Sequence, residues 1–192
     1  MRAVLFGRYA LFFAVASAGC GADLWTKHWI FDRLGMPGGP VWWIWQDRFG
    51  FQTSLNEGAL FGLGQGGVPL FIALSVLAAL GILYWLFFGG AARDRLLTVA
   101  LGCIFAGIVG NLYDRLGLHG LEWGLLTPLR AGEPVRAVRD WILVMIFGHP
   151  WPNFNIADSA LVCGAILLVW HAWRAEGKDE GKGIKDEVKT PA

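Results

Sequence analysis

An all-α membrane protein of four transmembrane helices, with a small extracytoplasmic β-like platform between helices 1 and 2, is the fold this sequence predicts, and three observations predict it. The 192-residue chain is 55% hydrophobic and 16% charged, with 11 Trp and 13 Phe, too apolar and too aromatic a balance for a water-soluble domain of this length. Four apolar stretches, at about residues 9–25, 68–88, 96–113 and 155–173, each approach the roughly 20 residues that cross a hydrocarbon core of about 30 Å. Basic residues also gather in three short polar segments: Arg2 and Arg8, then Arg93 and Arg95, then Arg174, Lys178, Lys182, Lys185 and Lys189. The positive-inside rule places all three in the cytoplasm, and both termini with them.

The first stretch runs from Arg2 through an apolar core to Ser17-Ala18-Gly19-Cys20, a pattern shared with cleavable lipoprotein leaders. Ser17 stands where such leaders usually carry a bulky aliphatic residue, and three further spans follow, so the segment reads as a retained first helix. At its outer end Asp23 and Lys27 stand at i, i+4 and share one helical face, where they can pair. Next, residues 41–51, with Trp42, Trp43, Ile44 and Trp45, are aromatic and partly alternating, between Gly and Pro on one side and Asn56 and Gly58 on the other. A short strand or hairpin at the outer interface and an interfacial loop anchored by tryptophans fit this pattern equally well.

The second and third stretches are joined only by residues 89–95, which permits a tight turn between antiparallel helices. Gly102, Ala106 and Gly110, four apart, let the third span approach a neighbour closely. The fourth stretch ends near Trp173, giving one four-span domain over residues 1–174; the charged segment 175–192, with Gly and Pro but no apolar period, is expected to be a flexible cytoplasmic tail. Trp25, Trp29, Trp141 and Trp151 at one set of helix ends, and Trp85, Trp170 and Trp173 at the other, suit the two interfacial belts. Cys20, Cys103 and Cys163 fall in different spans without paired spacing, which indicates neither a disulfide framework nor a metal site.

Against this apolar background the polar residues stand out. Asp140 lies just before the last apolar run and Asp158 just inside it, and a carboxylate at membrane depth costs roughly 2.5–3.5 kcal/mol or more. Asn111, Asp114 and Arg115 share one face at the outer end of the third span; Asn155 and Asp158, with small Ala157 beside them, share another at the start of the fourth. Two such faces at one depth bring carboxyl groups together. A close pair cannot ionise twice cheaply, and one ionised and one protonated carboxyl can activate a water and protonate a carbonyl oxygen without a metal.

Five segments in order then resemble one family, the type II or lipoprotein signal peptidases, four-span aspartic endopeptidases of the bacterial cytoplasmic membrane. They are Asp23 and Lys27; Asn56-Glu57-Gly58-Ala59-Leu60-Phe61, resembling N-x-G-A-x-F; Gly110 to Arg115, resembling G-N-x-x-D-R; Val138-Arg139-Asp140-Trp141, resembling V-x-D-F; and Phe154 to Ser159, resembling F-N-x-A-D-S. The resemblance implies that Asp140 and Asp158 are catalytic, that Asp114 supports them, and that Asn56, Gly58, Asn111, Arg115, Asn155 and Ala157 hold the substrate or the site. It implies no cofactor and no metal. The substrate it implies is a diacylglyceryl-modified prolipoprotein, cut on the N-terminal side of the lipidated cysteine by a monomer among membrane lipids, with the active site near the outer face. Two departures stand out: the stretch between Arg115 and Asp140 is longer than in the family, and Trp141 replaces a phenylalanine. Asp114 is the rival for the first catalytic position; Arg115 beside it is expected to hold it ionised, which suits an anchor better than a proton-exchanging acid.

Other classes fare worse. A formal charge of +1 with no basic patch gives no sign of nucleic-acid binding. A proton-coupled transporter would need polar groups along a midplane pathway, whereas here they gather at one end. A structural scaffold explains the small residues but leaves both aspartates without a role. A His–Ser nucleophile through Ser159 finds only scattered histidines, at positions 28, 119, 149 and 171.

Overall fold

The computed structural model describes residues 2–58, 64–124 and 127–187, with side chains over 4–174 of these. Among them are four helices long and apolar enough to cross a membrane: α1 (Arg2–Leu34), α2 (Val68–Phe87), α3 (Arg95–Arg115) and α4 (Ile156–Glu187). Half of the α3 span is buried, against 11% for each of the other three, so α3 is the central post around which they stand. Small residues make this possible. A Cβ on Gly102 would meet the Val15 side chain of α1 at 3.1 Å, and one on Gly110 would stand 2.5 Å from Asp23 Oδ2, with the Ala157 methyl of α4 at 3.2 Å. The stripe of Gly102, Ala106 and Gly110 therefore seats both α1 and α4.

Helix starts are capped by their own sequences. Pro69 opens α2, and the Asp94 side chain accepts from Leu97 N (2.9 Å) at the head of α3. At the other end of the chain, α4 runs to Glu187, so the backbone over 175–187 continues the helix beyond the apolar span; residues 188–192 lie outside the described residues.

The platform is larger than its own segment. Residues 41–51 form the strand of the two readings: β1 (Trp42–Trp45) pairs antiparallel with β2 (Phe49–Asn56). The sheet continues through β3 (Val138–Ile146) and β4 (His149–Pro150), both from the stretch between α3 and α4, in the order β1-β2-β3-β4. Periodicity does not announce β3. An apolar run buried on both faces has no alternation, and only β2, some ninety residues earlier, supplies the partner that makes it a strand.

Under the sheet, α1 extends nine residues past the end of the first apolar stretch at Trp25, and at about 50 Å it is longer than a bilayer core is thick. Ile30 and Phe31 of this extension are buried against Trp141 and Ile142 of β3. Sheet and bundle are thus one body.

Candidate active site

Backbone pairing brings the site together. Ser54 of β2 stands opposite Asp140 of β3, and Asn56, two residues along, reaches it diagonally from the same face. On the other edge of β3, Trp141 N and Ile142 N donate to Phe154 O (3.0 and 2.8 Å), and Phe154 N returns to Ile142 O (3.2 Å). Asn155 is thereby set beside Asp140 at the point where α4 begins.

Asn155 and Asp158 form a reciprocal cap. Asp158 N donates to Asn155 Oδ1 (2.9 Å), and Asn155 N donates to Asp158 Oδ2 (3.2 Å), which satisfies two backbone donors and fixes the direction of both side chains. A third donor, Ala157 N, is taken by Asp23 Oδ1 of α1 at 2.8 Å. The F-N-x-A-D-S segment is a helix start first, and its second carboxylate owes its orientation to that.

Two side-chain amides join the aspartates. Asn155 Nδ2 donates to Asp140 Oδ1 (2.7 Å) and to Asn111 Oδ1 (3.2 Å), while Asn111 Nδ2 donates to Asp158 Oδ1 (2.8 Å). Asn56 Nδ2 approaches Asp140 Oδ2 at 3.4 Å. Burial, and after it the Asp158 charge, push the Asp140 carboxyl up to about 8, against the opposing pull of Lys27 and the two amides. Asp140 is 3% exposed and Asp158 half-buried. Both line a cavity of about 650 Å³ whose polar end also carries Asn56, Asn111 and Arg115, and whose apolar end is made by Ile108, Leu161 and Val162 of α3 and α4.

Behind this pair lies a second, sealed charge cluster. Lys27, fully buried, pairs with Asp23 Oδ2 (2.7 Å) and Asp114 Oδ2 (3.1 Å) and donates to Asn111 Oδ1 (2.9 Å). Asp23 and Lys27 thus pair as their spacing predicts. The expected Asp114–Arg115 pair does not form. Asp114 instead receives Arg139 N (2.9 Å), Nε (3.1 Å) and Nη2 (2.8 Å), because it points into the interior, where β3 delivers Arg139. Arg115 turns to the cavity, donating to Gly58 O (3.0 Å) and lying over the Phe71 ring. Gly58 is buried, and its N–H donates to Asn56 Oδ1 (3.0 Å).

All eleven residues singled out from the sequence therefore fall in one polar layer; Ala59, Leu60 and Phe61 of the second motif lie outside the described residues. Sequence reasoning missed Arg139, whose signal was a lone cation beside Asp140 in an otherwise apolar run.

A bundle of four helices long and apolar enough to cross a membrane, with a docked sheet and two carboxyls on one cavity, defines the class, a multi-spanning membrane protein. Residues 15–174 match the family model of signal peptidase (SPase) II. A lipoprotein signal peptidase of Rhodopirellula baltica is 53% identical over 183 residues, covering 94% of this chain and 79% of that one. One from Synechocystis sp. is 32% identical over 160 residues, covering 83% and 86%. A bacterial membrane enzyme solved by the in meso method superposes with a TM-score of 0.72 at 23% identity, covering 88% of this chain and 91% of that one, which speaks for the fold. A second such structure gives 0.65 at 26%, covering 85% and 92%. The chain belongs to the signal peptidase II family of bacterial multi-pass membrane proteases.

Proposed function

We propose that this protein removes signal peptides from prolipoproteins by two-aspartate hydrolysis, cutting N-terminal to a diacylglyceryl-modified cysteine. The observation that carries this reading is the Asp140–Asp158 arrangement: two carboxyls from separate elements, joined by asparagine amides, open to one cavity and, among the described residues, without a cation of their own in hydrogen-bond contact. One proton is shared by the pair and resides on the more deeply buried Asp140. Asp158 then draws a proton from a water set between the two while Asp140 donates to the scissile carbonyl oxygen, so the tetrahedral intermediate forms neutral at oxygen.

The surroundings suit such a substrate. The apolar end of the cavity accepts the signal helix and the lipid chains stay in the bilayer, while Asn56, Asn111, Arg115 and Asn155 hold the peptide backbone extended. In this reading the enzyme works as a monomer with both termini in the cytoplasm and the carboxyl pair near the outer face. Purified protein should cut a lipid-modified prolipoprotein, and the Asp140→Asn and Asp158→Asn proteins should insert normally yet leave the precursor whole. Normal processing by both variants overturns the mechanism.

A further inference from the structure

One hydroxyl stands at the apolar end of the cavity. Ser75 of α2 lines it, and the neighbouring helices set its depth. Phe71, one turn earlier on the same face of α2, lies against the Arg115 guanidinium, 5.3 Å from the ring centroid. Ser75 is therefore one turn further into the span than Arg115. Ile108 of α3 and Leu161 and Val162 of α4 share this level, being one turn inward from Asn111 and from Asp158. Among the described residues that line the cavity at this level, Ser75 alone carries a polar side chain.

That hydroxyl is not used by its own helix. Thr26, Thr98 and Ser159 each donate to the carbonyl four residues back, at 2.8, 2.6 and 3.0 Å. Among the described residues the Ser75 hydroxyl makes no such bond and no other. An unpaired hydroxyl in an apolar wall is unfavourable until a bound group completes it. A signal helix lying in this end of the cavity offers that group. It must give way to extended chain where the bond is cut, and a helix end leaves its last four carbonyls without intrahelical partners. At a level walled by Ile108, Leu161 and Val162, Ser75 is the donor such a carbonyl meets. One turn, about 5.4 Å, spans one to two residues of extended chain. The carbonyl that arrives beside Ser75 is then that of the second or third residue before the cut.

We infer that Ser75 is a substrate-binding residue, whose hydroxyl donates to this carbonyl where the signal helix ends. The inference rests on the peptidase reading above for the identity of the substrate. In the test, full-length protein in detergent receives a diacylglyceryl-cysteine precursor peptide, or one of two analogues with an ester replacing the peptide bond after the second or after the third residue before the cut. The ester carbonyl is a weaker acceptor. Ser75→Ala and the similar-sized Ser75→Cys, a weak donor, should each raise KM about fivefold with kcat within about twofold, while thermal midpoints stay at the parent's. One ester should weaken the parent by a similar factor and both variants by less than about 1.5-fold. An unchanged KM in either variant, a loss in kcat in place of the rise in KM, or esters that weaken parent and variants alike would each overturn the assignment. Binding of the uncut peptide to Asp158→Asn protein, with and without Ser75→Ala, keeps the two readings apart. A peptide that the parent leaves uncut, yet that binds about fivefold more weakly with Ser75→Ala, ends the peptidase reading and keeps Ser75. Equal binding ends the Ser75 inference alone, and no binding ends both.

Discussion

Four buried or half-buried aspartates share one layer of this molecule, and their partners divide them. Asp23 and Asp114 are fully sealed and matched by cations, Lys27 between them and Arg139 on Asp114. Asp140 and Asp158 face the cavity and, among the described residues, are matched by neutral amides and backbone donors. A cation in contact locks a carboxylate in its charged form, whereas an amide orients it and leaves the proton free to come and go. The difference teaches how one layer gives four similar residues two environments. Lys27 joins the halves, since its hold on Asn111 Oδ1 turns that amide's N–H group towards Asp158.

The comparison breaks most visibly at the cavity pair. Asp140→Asn or Asp158→Asn should each cut turnover by about 10³- to 10⁴-fold while thermal midpoints in detergent stay near the parent's, because Asn at 158 still offers an oxygen to Asn155 N. Large unfolding shifts with retained turnover would place these residues with the sealed group instead. Lys27→Met should do the reverse. It strands Asp23 in the interior and leaves Asp114 with Arg139 alone, and should cost about 3–5 kcal/mol of stability, read by denaturant titration, and adding Asp23→Asn should return part of it. A midpoint unmoved by Lys27→Met would mean that the sealed cluster holds nothing.

A subtler sharpening comes from pH. With its carboxyl raised to about 8, Asp140 binds a proton in the folded protein that the unfolded chain releases near the ordinary carboxylate range. Folded-state stability from this group is therefore fully present at low pH and falls as pH rises, until about 8 is passed. Turnover should decline on the same alkaline limb, and in Asp140→Asn protein the pH dependence of unfolding should flatten. Smallest of all, Asn56→Ala should cost about 1 kcal/mol of transition-state stabilisation, or some fivefold, and move the alkaline limb upward, since the lost hydrogen bond favours the ionised acid. A limb that moves downward would assign Asn56 a different partner.

Much of the site was legible because its residues come in local groups. Asp23 with Lys27, Asn111 with Asp114, and Asn155 with Asp158 each lie one helical turn apart, a spacing that alone puts each pair on one face. Arg115 shows where that logic stops. It is the sequence neighbour of Asp114, yet successive helical residues point about 100° apart, so one entered the interior and the other the cavity. The first helix was read short because charges follow Trp25. Lys27 proved compatible with a buried helix because Asp23 and Asp114 neutralise it.

Hydropathy, charge placement and helical spacing determined the four spans and the polar ends of α1, α3 and α4, since each of these is a property of at most a few turns of chain. Which partner each carboxylate took was decided only by the tertiary structure. The β2–β3 register and the Arg130–Glu57 ion pair join residues dozens of positions apart, and the Phe154 bridge joins two different elements. No local pattern encodes such pairings, because their strength exists only once the sheet has closed over the bundle and excluded water.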